Sequence, residues 1–546
     1  MSKIAHYLQE HLAGEVMTSI DARRYFSSDS SILSIPPALI AYPRNENDVR
    51  KAARFSWQLA ERGRIIPITP RGSGTDSTGG AIGEGLLIVF PAHMNRIIEL
   101  DNKSGEVTVE PGINFGKLEQ TLQTHGRYIS AFPSTLEYST VGGAVAKNSS
   151  GQNSVKYGSI GEYVKRLRIV LANGEVIETE RLSKRELNKK LGIASFEGEI
   201  YRALDALIEE NQNLITSMER PITKNNAGYN LIDVKHKDGS FDLSPLFIGS
   251  QGTLGIITEI TLSSDVFNPD TSLIMACFDN LDNVQVAVNS LRSAKELPRT
   301  IEIINKGLID AVTEVNPNQL KDLVPTPHPE YILFVEIDNH SERGQKRTVH
   351  KITKILEKLA ISVEIETEQD IQQRIWKVRQ ASSAYISHND GFKKSTPIVN
   401  DSIVPPERLV ELISGANDIV NQLNMSPFAI WGHAGDGIIR LQPHLNLTQV
   451  GDRQKAFRLM DDFYKLVISL GGSIAGSAGE GRLKAPYLEM QYGSEAFSLL
   501  AKVKQIFDPY STLNPGVKFG TSMDDIKKSL RQEYTFGHFY DHLPRS

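Results

Sequence analysis

Three glycine-rich segments and one later histidine–arginine stretch are where this sequence could do chemistry. The first segment reads Arg71-Gly72-Ser73-Gly74-Thr75-Asp76-Ser77-Thr78-Gly79-Gly80. The second, residues 132–161, is dense in Ser, Thr, Asn and Gly and carries Pro133, Ser134, Thr140, Gly142, Gly143, Asn148, Ser149 and Gly151. The third runs from Gly249 through Gly252 and Gly255 to Ile257 and Thr258. Glycine lets backbone approach a ligand closely, and Ser, Thr and Asn donate from short side chains. A loop of this kind can form a nest of N–H groups that takes a phosphate without a helix. Each segment alone also reads as an ordinary turn, the first as a plain hairpin loop. Three of them in one α+β region suit a long ligand lying extended across it.

The elements around these loops follow from pattern. Asn45 is placed to cap a helix carrying Val49, Ala52, Ala53 and Phe55, which Gly63 closes. Strands are expected at Ile65–Ile68 and Leu86–Phe90, on either side of the first loop. A dinucleotide fold with a glycine turn followed by a helix is excluded, because the six glycines between residues 72 and 85 oppose a helix there. Further strands are read at Leu167–Leu171 and Val176–Glu178, joined by the turn Ala172-Asn173-Gly174. Residues 1–30 read as a polar lead-in, with ordered sequence from about Ile35. After about residue 265, strands at Ser272–Phe278, Tyr331–Ile337 and Ile361–Glu366 alternate with helical stretches around Val284–Leu291, Ile352–Leu359 and Leu409–Leu423. That order predicts an antiparallel sheet with helices on one face.

Composition sets the outer limits. The chain has 546 residues, too many for a single core. Its formal charge of −5 gives no electrostatic case for nucleic acid as the main partner. Cys277 is the only cysteine, so no internal disulfide, cysteine-rich zinc site or iron–sulfur cluster is expected. No apolar run reaches the ~20 residues of a spanning helix. A cytoplasmic protein with at most peripheral membrane contact is the expectation.

In order and spacing, the three loops resemble the flavin-binding domain of the vanillyl-alcohol oxidase superfamily. The branch they resemble comprises glycolate oxidase, FAD-dependent D-lactate dehydrogenase and D-2-hydroxyglutarate dehydrogenase. Pro70–Thr75, Ser139–Gly143 with Asn148–Gly151, and Gly252–Thr258 are similar to its three FAD loops. Gly432-His433-Ala434-Gly435-Asp436-Gly437 is similar to its substrate-domain signature, and Leu513-Asn514-Pro515-Gly516 to its C-terminal return. The resemblance implies an α+β fold: a two-subdomain PCMH-type FAD-binding domain over residues 36–265 and an antiparallel-sheet, ferredoxin-like substrate or cap domain over 266–512. A lead-in (1–35) and a C-terminal return and tail (513–546) flank them. It implies FAD, held non-covalently because no histidine stands in the first loop. Arg71, Gly72, Ser73, Gly74, Thr75 and Asp76 would hold the pyrophosphate region. Pro133, Ser134, Thr140, Gly142, Gly143, Asn148, Ser149 and Gly151 would line the adenine–ribityl path, and Ile257 would touch the ring system. Asn226 and Tyr229 resemble a further loop near the flavin, with a turn as the alternative.

The implied activity is oxidation of a small D-2-hydroxy acid by hydride transfer to flavin, with electrons leaving to a separate acceptor: a quinone, a cytochrome, an iron–sulfur protein or oxygen. The match breaks where metal-using relatives carry two histidines, a glutamate and a base histidine. Only His433 survives; Arg440, Ser477 and Ala478 stand at the other three positions. No metal is therefore expected, and Arg440 is expected to take over its charge. His433 as base or donor and Arg379 as carboxylate binder complete the candidate catalytic set. The plainer readings are a packing histidine, a helix-surface arginine and a strand-edge arginine in solvent. Glu480 and Arg482 would pair structurally or hold substrate, and Asp401 reads as a strand terminus. The tail with His538 and His542 is assigned no metal. Two other functions fit the same motifs: an FAD-binding subunit or degenerate paralogue without hydroxy-acid activity, and a non-redox flavin enzyme like alkylglycerone-phosphate synthase.

Overall fold

Asn45 does cap the first long helix, Glu46–Ala60: its side chain accepts from the Asp48 N–H at 3.2 Å. In the computed structural model, which describes residues 2–425 and 428–531, this helix lays Val49, Ala52 and Ala53 on a four-stranded sheet. The strand order is Glu15–Met17, Leu39–Tyr42, Leu86–Val89, Ile68–Arg71. Regular structure thus starts at residue 2 rather than near Ile35. The helix Ser2–His11 buries Ile4 and Leu8, four residues apart on one face, and Leu12 just beyond it in the same core. Strand Glu15–Met17 then pairs antiparallel with Leu39–Tyr42.

Ile68–Arg71 and Leu86–Val89 are parallel, Ile68 opposite Leu86 and Arg71 opposite Val89. Parallel neighbours need a crossover, so the first glycine segment is not a hairpin loop.

A second, five-stranded antiparallel sheet has the order Ile97–Asp101, Glu106–Val109, Ile256–Ser263, Val164–Val170, Val176–Thr179. Its last two strands form the hairpin read from the sequence, with Gly174 at φ +85° in the turn. The third glycine segment runs into the central strand Ile256–Ser263. The second segment sits beside the sheet and contains a helix the sequence reading lacked, Val141–Lys147, capped by Thr140.

The third sheet has seven antiparallel strands: Ser362–Glu366, Ser272–Phe278, Tyr331–Ile337, Thr300–Asn305, Ile430–Gly432, Ile438–Leu441, Val399–Ile403. Strand alternation sends Ile274, Ala276 and Phe278 to one core and Leu273, Met275 and Cys277 to another. The first core is shared with helices Leu281–Arg292, Glu342–Leu356, Leu409–Gln422 and Val450–Ser469. The second is shared with Lys306–Val315, Gln369–Arg379 and Ala381–Ser387. Helices therefore cover both faces, not one. The cause is visible in Ser272–Phe278, all seven residues of which are buried.

The chain then returns to the first sheet. Leu513 bridges Ile68 in parallel, and the Asn514 amide donates to the carbonyls of Gly80 and Gln251, both at 2.8 Å. Among the described residues, no helix is long and apolar enough to cross a membrane. Residues 532–546 of the tail, with His538 and His542, lie outside the described residues.

Candidate functional site

All three glycine segments line one cavity, whose empty volume is about 1630 Å³ with its open mouth included. The parallel pair Ile68–Arg71 and Leu86–Val89 delivers the first loop to it. The Thr140 cap delivers the second, accepting the Gly143 N–H at 3.2 Å. The start of strand Ile256–Ser263 delivers the third. Of the residues expected there, Arg71, Gly72, Ser73, Gly74, Thr75, Asp76, Pro133, Ser134, Thr140, Gly142, Gly143, Ser149 and Ile257 line the cavity. Asn148 and Gly151 do not. Asn148 instead adopts φ +50° at the helix end and donates to Asn226 Oδ1 at 2.8 Å. Gly151 packs so closely on the Phe132 carbonyl that a Cβ would strike it. Both shape the loop from behind. The sequence reading missed Lys147, Ser150 and Gln251, which also line the cavity.

The walls fit FAD. Arg71 Nη2, Ser73 Oγ, Ser150 Oγ and Gln251 Nε2 are buried, line the cavity and have no hydrogen-bond partner among the described residues. Buried polar atoms are rarely left so, and a polar ligand supplies what they lack. The glycines are a cradle that side chains would fill. A Cβ on Gly72 would collide with Thr140 Oγ1, and one on Gly142 would lie 2.5 Å from Pro111 Cβ and 2.7 Å from its carbonyl oxygen. Gly74 takes φ +80° above the Arg71 guanidinium. Burial pushes that guanidinium down to about 10, against the pull of Asp29. Asp76 is fixed by Lys147 at 2.8 Å, by the Thr78 hydroxyl at 2.8 Å and by the Gly80 N–H. Burial alone would raise the Asp76 carboxyl, but Lys147 and these hydrogen bonds hold it below the usual range.

The seven-stranded sheet closes the cavity with Trp431, Arg440, Gln442, Asn400 and Asp401, joined by Ser477 and Ala478 from a nearby loop. Arg440 is in the cavity, not in solvent; its side chain is 18% exposed. Its Nε and Nη2 both lie 2.9 Å from Asp401 Oδ1, and its Nη1 is 3.3 Å from Ser134 Oγ. Asp401 Oδ1 also accepts the Ser477 hydroxyl at 2.5 Å. So Arg440 and Ser477, far apart in sequence, converge on one carboxylate. Burial would raise the Asp401 carboxyl, but the charges of Arg440 and Lys484 and the Ser477 bond hold it well below the usual range. Asp401 sits inside strand Val399–Ile403, at φ +57° beside a register shift, rather than at its end. Such a conformation in a non-glycine residue is strained and often functional. No pattern in the sequence announces it.

His433 and Arg379 are brought together, but on Glu302 and not on the cavity wall. Glu302 is fully buried in strand Thr300–Asn305. It receives His433 Nδ1 at 2.5 Å and Arg379 through Nε at 2.7 Å and Nη2 at 2.6 Å. Burial would raise its carboxyl, and the contacts with His433 and Arg379 hold it down. His433 Nε2 is buried without a hydrogen-bond partner among the described residues. Among the described residues no group of three or more His, Cys, Asp or Glu is placed to hold a metal ion.

The other candidates are structural. Glu480 does not pair with Arg482. It forms a fully buried ion pair with Lys518 at 2.7 Å and accepts the Gly228 N–H at 2.8 Å. Arg482 donates to the carbonyls of Ile82 and Pro515. Asn226 ties Asn148 to Gly476 O, and the Tyr229 hydroxyl meets Thr253 Oγ1 at 2.7 Å.

Residues 37–180 match the family described as FAD binding domain, and residues 268–517 that described as FAD linked oxidases, C-terminal domain. The chain is 29% identical over 509 residues to "Glycolate oxidase subunit GlcD" of Bacillus subtilis, covering 93% of each. It is 28% identical over 521 residues to "D-2-hydroxyglutarate dehydrogenase" of Escherichia coli, covering 93% of this chain and 50% of that protein. The chain thus spans about half the length of that relative. Its fold is similar to that of p-cresol methylhydroxylase, with a TM-score of 0.69 at 14% identity, covering 96% of this chain and 97% of that one.

Proposed function

We propose that this chain, which matches an FAD binding domain and the C-terminal domain of FAD linked oxidases, oxidises a small D-2-hydroxy acid such as D-lactate, glycolate or a D-2-hydroxyglutarate-like acid. The observation that carries the reading is Arg440, a guanidinium fixed by Asp401 in the cavity that the FAD loops line. When bound, the flavin supplies a two-electron acceptor for the hydrogen on the substrate α-carbon. Arg71, Ser73, Ser150 and Gln251 would hold the cofactor through the donors and hydroxyls they leave unpaired. Arg440 offers its planar fork to the substrate carboxylate, the charge that a divalent metal supplies in some relatives. Asp401 accepts from Arg440 and so sets the direction of the fork. Trp431, which lines the same wall, excludes water from the bound acid. His433, held on Glu302 through Nδ1, lies off the cavity wall and makes no contact with the acid in this reading. A separate electron acceptor completes the cycle. FAD attachment is read as non-covalent.

The placement of His433 on Glu302 favours a second reading, an FAD-binding protein without hydroxy-acid activity, because among the described residues no imidazole lines the cavity. Anaerobic mixing of the FAD-loaded protein with each hydroxy acid separates the two. Bleaching of the flavin absorption supports the first reading; an unchanged spectrum with all three acids supports the second.

A further inference from the structure

A second cavity shares no lining residue with the first. It lies where helix Ser154–Tyr157, the loop at Thr223 and Lys224, the end of helix Leu281–Arg292 and the turn Ala434–Asp436 meet, and its empty volume is about 1130 Å³, mouth included. Its charged lining is Lys156, Lys224, Arg292, Glu162, Asp265 and Asp436.

Their partners decide which charges remain unspent. Lys156 is paired with Asp338 at 2.5 Å. Asp265 accepts the hydroxyls of Tyr163 at 2.6 Å and Ser130 at 2.5 Å. Asp436, 1% exposed, lies 2.7 Å from Lys224 Nζ and takes the Ser154 hydroxyl at 2.5 Å on the same oxygen. Glu162 stands exposed in the lining and is the weakest of the charges acting on Lys224. Two cations are left under-compensated. Lys224 has a side chain 8% exposed, with Asp436 as its one ion partner and no aligned hydrogen bond at Nζ among the described residues. Arg292 donates to the Gly435 carbonyl and, among the described residues, has no carboxylate within ion-pair distance. Burial lowers the Lys224 ammonium first, Asp436 opposes that, and the Arg292 charge adds to the lowering, so the two cations feel each other. Lys224 and Arg292 thus line one water-accessible space in which, among the described residues, Asp436 is the one carboxylate in ion-pair contact with either; Asp265 and Glu162 complete the lining without such contact, and the guanidinium keeps donors for a further oxyanion.

We propose that this cavity is a binding site for a small oxyanion, a carboxylate or a phosphate, held between the guanidinium of Arg292 and the ammonium of Lys224. Arg292 supplies the planar fork and Lys224 the point charge. The site stands apart from the hydroxy-acid reading, because it uses none of the same residues.

The test is calorimetric titration of the FAD-loaded protein with sodium phosphate and, separately, with sodium succinate, in a chloride buffer. Both titrations are repeated in Arg440→Gln, so that a carboxylate bound in the first cavity drops out. The expected result is one saturable site for at least one anion, kept in Arg440→Gln and weakened about tenfold or more in Arg292→Gln. Which anion binds tells carboxylate from phosphate. Glu162→Gln removes the negative charge at the exposed edge without touching the cations, and is expected to tighten binding. The proposal is overturned by no saturable site for either anion, by a site that Arg440→Gln abolishes or that Arg292→Gln leaves intact, or, should Arg292→Gln not fold, by a site whose affinity Glu162→Gln leaves unchanged.

Discussion

Arg440 and Asp401 form a two-pronged contact, Nε and Nη2 each 2.9 Å from the same carboxylate oxygen, inside the cavity that the glycine loops line. The pair fixes a cation on the wall of that cavity. Arg440→Gln is expected to raise KM for the hydroxy acid by about tenfold to a hundredfold, the worth of one charge-assisted contact. FAD content should stay normal. Asp401→Asn, which frees the fork without removing it, should also raise KM, by less. Steady-state kinetics on both variants, with FAD quantified by absorbance, checks this. Chelators should leave the rate of the parent protein unchanged.

The cradle can be tested without substrate. Gly142→Ala places a methyl group 2.5 Å from Pro111 Cβ and against its backbone, which cannot swing away. The expected outcome is protein with strongly reduced FAD content. Gly451→Ala, where a Cβ meets nothing within 4 Å, is the matched control and should retain full FAD.

Glu480 and Lys518 are both 0% exposed and pair at 2.7 Å, joining the loop after Ser477 to the C-terminal return. Glu480→Gln leaves a buried ammonium with carbonyl partners only. It should destabilise the fold by about 3–5 kcal/mol, read as a lower denaturation midpoint. Replacing both partners with apolar residues of similar volume should restore much of the loss.

Glu119 predicts a pH dependence. Burial pushes its carboxyl from 4.5 up to about 8, partly opposed by the Ile129 N–H that it accepts at 2.9 Å. The native state keeps a proton there that the unfolded chain has released. The stability tied to that proton is therefore fully present below about pH 4.5 and is lost as pH rises through about 8. The loss is on the order of a few kcal/mol. Glu119→Gln keeps an acceptor for Ile129 and has no proton to lose. Thermal melts from pH 5 to 8 should show the variant gaining on the parent as pH rises; a constant gap would contradict the assignment.

How far the sequence carries is clearest at particular residues. Asn45 and the helix it caps, the hairpin at Gly174 and the strand Ser272–Phe278 follow local rules of capping, turn geometry and alternation, and local rules are visible in one dimension. The glycine loops were legible because backbone approach demands glycine. Helices on both faces of the large sheet were not, since which face an element covers depends on pairing between distant strands. Nor was the split between His433 and Arg440. The two stand seven residues apart, yet the turn Ala434–Asp436 sends one to Glu302 and leaves the other on the cavity wall. Asp401 was read as a strand terminus because its left-handed backbone and its guanidinium partner are both set by tertiary contacts.

Anaerobic titration of the FAD-loaded protein with D-lactate, glycolate and D-2-hydroxyglutarate, in the presence of a chelator, addresses the central claim most directly. Loss of the yellow flavin absorption with at least one of these acids, and much weaker loss in Arg440→Gln, is the predicted result. A spectrum that none of the three alters, in protein that holds its full FAD, would contradict it.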